Sequence, residues 1–242
     1  MLDFGFYNMD CLEGMKQFED NYFDLAIVDP PYADAGIENA FTDKAGRLHE
    51  RGRFNKYAKP FDNYHGRFGN KDGRFQKYAD MKDTTIVSDW DIAPPKEYWD
   101  ELFRISKDQI IWGGNYFGLP PNRCFLIWRK LTISEDFTMS MCEYAWTSFN
   151  DNAKVYEQAP QDKARFHPTQ KPVELYEWIL NRYAERDFKI LDTHCGSASS
   201  LVACERNGYK NYVGFEIDKF YYDKAKDRLD AEKSQQNIFD YF

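Results

Sequence analysis

The 242-residue chain reads as an α/β protein built on a mostly parallel, doubly wound sheet of seven strands with a long basic insertion. Three observations predict this. Seven short apolar or β-branched runs are spread along the chain, at 4–7, 24–28, 109–112, 124–128, 142–146, 189–191 and 211–215. Helical patterns fall between several of them. Three of the runs stop on a carboxylate: Asp29, Asp192 and Glu216.

The elements follow in order. FGFY at 4–7 opens the chain as a strand. Asp10, with Glu13 three residues on, reads as a capping box that starts a helix to about Phe18. DLAIV at 24–28 is the next strand. It ends in a corner, Asp29-Pro30-Pro31-Tyr32, where neither proline can donate to a sheet ladder. Pro94 and Pro95 suit a first helical turn, and Tyr98, Trp99, Leu102 and Phe103 share one face. Strands are expected at QIIW, CFLIW and CEYAW. Residues 148–168 are polar and irregular, a connector between two halves. Pro172 opens a helix striped with Tyr176, Ile179, Leu180, Tyr183 and Ala184. Strand 189–191, a helix around Leu201–Glu205 and strand 211–215 follow. Asp218 caps a last helix that carries Ala225 and Leu229.

Composition narrows the class. Hydrophobic residues are 43% and charged residues 30%, ordinary for a globular protein. No apolar run is long enough to span a membrane, and the first residues lack a signal-peptide pattern, so a cytoplasmic protein without membrane association is expected. The five cysteines are scattered and form no C-x-x-C, which argues for reduced thiols and against a metal site. The net charge of −8 hides a division. Residues 44–77 hold ten Lys/Arg against three Asp/Glu, whereas the rest of the chain carries 22 against 37. The basic stretch lies in an insertion, 33–88, and repeats Gly-Arg at 46–47, 52–53, 66–67 and 73–74. Its aliphatic residues from 44 to 77 are Ala45, Leu48 and Ala58, too few for a core of its own. A basic segment on an acidic body is the electrostatic footprint of a nucleic-acid partner.

Residues 189–218, KILDTHCGSASSLVACERNGYKNYVGFEID, form a strand–turn–helix–strand unit. Backbone N–H groups at the helix start suit an anionic group, and an acidic residue ending the second strand suits vicinal ribose hydroxyls. The unit lacks G-x-G-x-x-G. It reads as a nucleoside-cofactor site, with a plain βαβ packing unit as the alternative.

Four motifs in one order then give a resemblance. DPPY at 29–32, HPTQKP at 167–172, LDTHCGSAS at 191–199 and VGFEID at 213–218 resemble those of the DNA amino-methyltransferases that use S-adenosylmethionine. DPPY precedes the cofactor unit, as in the permuted β group, and NMDCLEGM at 8–15 fits that group too. The resemblance covers nearly the whole chain apart from 33–88 and the last dozen residues. It implies a Rossmann-like class I methyltransferase, one domain over 1–242. The catalytic half is 1–147, the connector and short recognition region 148–166, and the cofactor-binding half 167–242. Thr193, His194 and Ala198 stand where the family commonly has Pro, Phe and a last Gly.

The resemblance also implies roles. The reaction is methyl transfer from S-adenosylmethionine to the N6 amine of a flipped adenine. Asp29 and a carbonyl of Pro30–Pro31 would accept the two N–H groups, and Tyr32 would stack on the base. Glu216 would hold the ribose hydroxyls, with Ile217 beside it and Asp10 and Cys11 near the cofactor's adenine. Asp192, Gly196, Ser197 and Ser199 would face its methionine end, lined from the other side by His167, Thr169, Gln170 and Lys171. Arg47, Arg51, Arg53, Lys56, Arg67, Lys71, Arg74 and Lys77 would meet DNA. Double-stranded DNA is the expected partner, with a cognate restriction endonuclease as companion and a monomer or homodimer as the assembly. Cytosine-N4 DNA methylation, RNA adenosine methylation and a catalytically silent DNA-binding subunit stay open at this stage.

Overall fold

Eight strands and five α-helices are laid down by the described residues of the computed structural model, which are 2–31, 93–134, 140–160, 162 and 164–239. Tyr32, the 33–88 insertion and all eight Arg and Lys residues expected to meet DNA lie outside them. In chain order the elements are β1 (Gly5–Asn8), α1 (Cys11–Met15), β2 (Phe23–Val28), α2 (Lys96–Ile105) and β3 (Ser106–Trp112). Then come β4 (Phe125–Arg129), β5 (Cys142–Thr147), β6 (Lys154–Glu157) and α3 (Val173–Tyr183). β7 (Ile190–Asp192), α4 (Ser199–Arg206), β8 (Tyr212–Glu216) and α5 (Lys219–Phe239) complete the chain.

The sheet order is β1-β8-β7-β2-β3-β5-β4-β6. Its pairings make every strand parallel except β5, which runs antiparallel to both β3 and β4. The expectation of a mostly parallel sheet holds, with eight strands in place of seven. The extra strand is β6, inside the segment expected to be an irregular connector. Its sequence, Lys-Val-Tyr-Glu, alternates half-buried and exposed at the sheet edge, so it lacks the continuous apolar run of a central strand.

Alternation sorts each central strand between two cores. Leu25 and Ile27 of β2, Ile110 and Trp112 of β3 and Tyr212 of β8 pack with α3, α4 and α5. Ala26 and Val28, Ile111, and Val213 and Phe215 pack with α1 and α2 on the other side. Period-two side chains on strands buried on both faces require helices on both faces. α2 buries Tyr98, Leu102 and Ile105, a 3.6-period stripe. Phe103, expected on that face, is 37% exposed because it lies one residue off the stripe.

Local signals set the helix starts. Asp10 Oδ1 accepts from the N–H groups of Leu12 (2.7 Å) and Glu13 (3.3 Å), and Asp218 Oδ1 does the same for Phe220 and Tyr221 at α5. The Glu13 carboxylate takes Lys16 Nζ at 2.9 Å, so half of the expected box forms. Pro95 and Pro172 precede α2 and α3 with φ of −68° and −62°.

Candidate active site

The chain winds outward from β7 to β8 on one side and from β2 to β3 on the other. The switch point is therefore between β7 and β2, where an open α/β sheet presents its crevice at the carboxyl ends of the strands. The register puts Ala26 beside Leu191, Asp192 beside Gly214 and Asn8 beside Glu216. Asp29, Asp192, Glu216 and Asp10 are consequently lined along one edge of the sheet.

On the β7–β8 side the turn after Asp192 is held by its own carboxylates. Asp192 Oδ1 accepts from His194 N at 3.0 Å, and Oδ2 accepts from Ser200 Oγ. Burial pushes its carboxyl up to about 6 against those two hydrogen bonds. Glu216 accepts from Gly196 N and Asp218 N, each at 2.8 Å, and burial raises it to about 7. Each carboxylate oxygen has a second lone pair, so Glu216 keeps acceptor capacity for hydroxyl groups. Ile217, next to it, is 58% exposed. Gly196 sits at φ +52°, and a Cβ there would come within 3.2–3.3 Å of the His167 ring. The bare glycine and the acidic strand ends leave a cradle whose carboxylate acceptors fit the hydroxyl groups of a nucleoside.

The HPTQKP segment closes this side. His167 is buried, its ring edge-on to Tyr221 at 4.3 Å, and Thr169 Oγ1 is 3.2 Å from His167 Nδ1. Gln170 donates to Asp162 at 2.9 Å. Ser199 Oγ donates to the Lys171 carbonyl at 2.7 Å, tying the start of α4 to this segment. Ser197 and Ser199 are both buried, their hydroxyls 3.1 Å apart, and Arg228 reaches Ser199 Oγ at 3.0 Å.

Where the family commonly has Pro and Phe, Thr193 and His194 build a polar chain. Tyr98 of α2 and Thr193 Oγ1 share a buried hydrogen bond of 2.6 Å. Thr193 Oγ1 lies 2.9 Å from His194 Nδ1, and His194 Nε2 faces Cys11 Sγ at 3.9 Å. Burial lowers His194 to about 4, so the imidazole is neutral, and raises Cys11 to about 12, so the thiol stays protonated.

On the β2 side, Asp29 is joined to charged residues from three other segments. Lys171 Nζ donates to Asp29 Oδ2, and to Glu143 Oε2 of β5 at 3.0 Å. Lys130, just past β4, donates to Glu143 Oε1 at 2.6 Å. The two ammonium groups lie over Trp112 and Trp128, 5.2 and 5.1 Å from the ring centroids. Burial raises the Asp29 carboxyl above the ordinary range, with Lys171 opposing it and Glu143 adding to it. Burial would raise Glu143 too, but its two lysines overcome this and hold it at about 2. Asp29 Oδ1 is buried and has no hydrogen-bond partner among the described residues.

The structure thus brings Asp10, Cys11, Asp29, His167, Lys171, Asp192, Gly196 and Glu216 to the carboxyl end of one sheet. Lys171, expected along the cofactor, sends its ammonium to Asp29 and Glu143. Glu143, Lys130, Tyr98 and Thr193 were not among the expected site residues. The only sequence signal for the first two was a pair of charges flanked by tryptophan and aromatic residues within strand-like runs.

Comparisons with known proteins agree with this geometry. The N6/N4 DNA methylase family model matches residues 54–227, which is well over half of the chain. The type II methyltransferase M2.MboI of Moraxella bovis is 23% identical over 253 aligned residues, covering 93% of this chain and 87% of that one. A crystal structure of an M1.HpyAVI–SAM complex superposes with a TM-score of 0.52 at 17% identity, covering 95% of this chain and 99% of that one. The cytosine-N4-specific PvuII DNA methyltransferase superposes with a TM-score of 0.56 at 12% identity, covering 98% and 93%. These likenesses share the fold, and the family match spans six of the eight strands and the residues Lys171, Asp192 and Glu216. The chain belongs to the N6/N4 DNA methylase family.

Proposed function

We propose that this chain transfers a methyl group from S-adenosylmethionine to the N6 amine of adenine in double-stranded DNA. The observation that carries the reading is Asp29 Oδ1, a buried acceptor with no partner among the described residues, at the carboxyl end of β2 beside the switch point. A buried carboxylate oxygen left without a donor is unfavourable unless a ligand supplies one.

S-adenosylmethionine, when bound, supplies a methyl on a sulfonium, an electrophile whose leaving group is a neutral thioether. Glu216 would hold its ribose hydroxyls, Asp10 and Ile217 would lie at the nucleoside, and the turn at Gly196 would face the amino-acid end. Asp29 Oδ1 accepts one N–H of the target amine, and a carbonyl of the Pro30–Pro31 pair accepts the other. This turns the nitrogen lone pair out of the base plane, towards the methyl group. As the N–C bond forms, the nitrogen becomes tetrahedral and positive. The Asp29 carboxylate favours that charge more than it favours the planar amine, which is the condition for catalysis. The nitrogen then loses its extra proton, and Asp29 Oδ1 is the nearest base. The base must leave the duplex to reach this corner, and Tyr32 supplies a ring to stack on it. Asp ahead of Pro-Pro favours adenine over cytosine by resemblance to the adenine enzymes.

The test uses the full chain, duplex DNA from an unmethylated source and S-adenosylmethionine, with the DNA digested to nucleosides and read by mass spectrometry. N6-methyladenine is expected. Asp29→Ala should lower the rate by about 10²–10³. N4-methylcytosine would overturn the base assignment. Cofactor binding without any methylated nucleoside would favour a silent DNA-binding subunit.

A further inference from the structure

We infer that Lys171, Glu143 and Lys130 are positioning residues: the buried chain Asp29–Lys171–Glu143–Lys130 ties off one oxygen of Asp29 and presents the other, as a carboxylate, to the amine. The inference rests on the proposed function and adds residues that the motifs do not assign to Asp29.

The first support is geometric. The four side chains come from four separate places, the end of β2, the segment before α3, β5 and the residue after β4, and alternate in sign. Lys171 and Lys130 have 3% and 8% of their side chains exposed, and Asp29 and Glu143 have 15% and 21%. Two anions and two cations make the set neutral, which is how charges persist in so dry a place. A buried ion pair gives little net stability, so a chain of this length needs another reason to be there.

The second support is the asymmetry at Asp29. Its Oδ2 is held by Lys171, whereas its Oδ1 has no partner among the described residues. A pair serving folding alone would satisfy both oxygens. Lys171 is fixed from two directions, by Asp29 and by Glu143, and lies over the Trp112 ring. The carboxylate cannot turn its free oxygen away without breaking that bond. Glu143 is in turn held by Lys130, so the position of Asp29 is set from β5 and β4, two and three strands away in the sheet order.

The arrangement makes opposite predictions for its two middle members. Among the described residues, the charged or titratable groups acting on or acted on by Asp29 include Lys171, Glu143, Lys130, Asp192 at the end of β7, Tyr98 of α2 and Tyr176 of α3. Of these, Lys171 is the bonded cation and Glu143 the anion that shares it. Removing Lys171 takes away the nearest cation opposing burial and leaves the more distant Lys130, so Asp29 should take up its proton at a higher pH. Removing the charge of Glu143 takes away a repelling anion and a competitor for the Lys171 ammonium, so protonation should move to a lower pH.

The experiment is infrared titration of the protonated-carboxyl band of the full chain, with the spectrum of Asp29→Asn subtracted to isolate Asp29. Lys171→Met should shift the band's titration upward, Glu143→Gln downward, and Lys171→Arg should leave it near wild type. Single-turnover methyl transfer should show its acid limb moving the same way, with Lys171→Met about a hundredfold slower at neutral pH and KM for DNA little changed. If Lys171→Met does not fold, Glu143→Gln still carries the test. An unmoved titration in Glu143→Gln, or a shift of the same sign in both variants, overturns the inference. A wild-type chain that methylates no DNA amine overturns the proposed function instead, and the infrared titration distinguishes the two failures.

Discussion

Ala198, Thr193 and His194 are where this chain departs from its family's usual turn, and each departure has a local physical account. Ala198 is at φ +55°, the left-handed region that glycine would occupy freely. That conformation costs an alanine about 1–2 kcal/mol. Its methyl is fully buried, which offsets about 0.8 kcal/mol of that. Thr193 is less replaceable, because it is the hydrogen-bond partner of the buried Tyr98 hydroxyl. Thr193→Val keeps the shape and strands that hydroxyl, so it should cost about 1–3 kcal/mol in urea unfolding. Tyr98→Phe removes the stranded group, so adding it to Thr193→Val should recover part of the loss. A coupling of at least about 0.5 kcal/mol between the two is expected, and strict additivity would show that the hydrogen bond contributes nothing. At this scale the sequence was readable for groups that act alone. Asp29, Asp192 and Glu216 each end an apolar run and can be seen without coordinates. Glu143 and Lys130 cannot, since a charge on a strand or just past its end ordinarily marks the solvent face. They are buried only because Lys171, from a distant part of the chain, completes the pairing.

Elements were legible in proportion to how much apolar side chain they bury. β2, β3 and β8 announced themselves because both of their faces are covered. β6 did not, because its Val155 is 60% exposed and only the intermediate positions face the protein. Element packing also explains one glycine in the cofactor unit. Gly214 is in the middle of β8, on the side facing α4, and a Cβ there would meet Cys195 Sγ and Leu201 Cδ1 at 2.6 Å each. Both atoms belong to buried side chains, and the Cys195 N–H also bonds the Phe215 carbonyl at 2.9 Å. Close approach of α4 to β8 is what brings Gly196 within reach of the Glu216 carboxylate. Gly214→Ala should therefore destabilise the fold by about 1–3 kcal/mol and weaken S-adenosylmethionine binding in calorimetry. Gly208→Ala is the control for substitution of a glycine as such, since no neighbour lies within 4 Å there and only its φ of +77° opposes a side chain. If Gly214→Ala binds the cofactor as tightly as wild type, the spacing of α4 from β8 does not shape the site.

Across the whole molecule the governing quantity is the division of charge. The insertion's 44–77 stretch is strongly basic, while the rest of the chain has 37 acidic residues against 22 basic ones. An acidic body repels a polyanion, so we propose that the basic stretch leads the approach to DNA. This was legible from composition, since charge adds without regard to conformation. Which arginine meets which phosphate was not, because that depends on coordinates beyond the described residues. Each phosphate neutralised by an Arg or Lys contributes about 0.9 to the slope of log K against log salt on duplex DNA. If Arg53, Arg67 and Arg74 each contact one phosphate, changing all three to Ala should reduce the slope by roughly 3 and weaken binding most at low salt. Cofactor affinity should be untouched, because the carboxylates and turn proposed to hold the cofactor lie at the ends of β1, β7 and β8. Fluorescence anisotropy with a labelled duplex at several salt concentrations reads the slope, and calorimetry reads the cofactor. A slope unchanged in the triple variant would remove the insertion from the DNA interface.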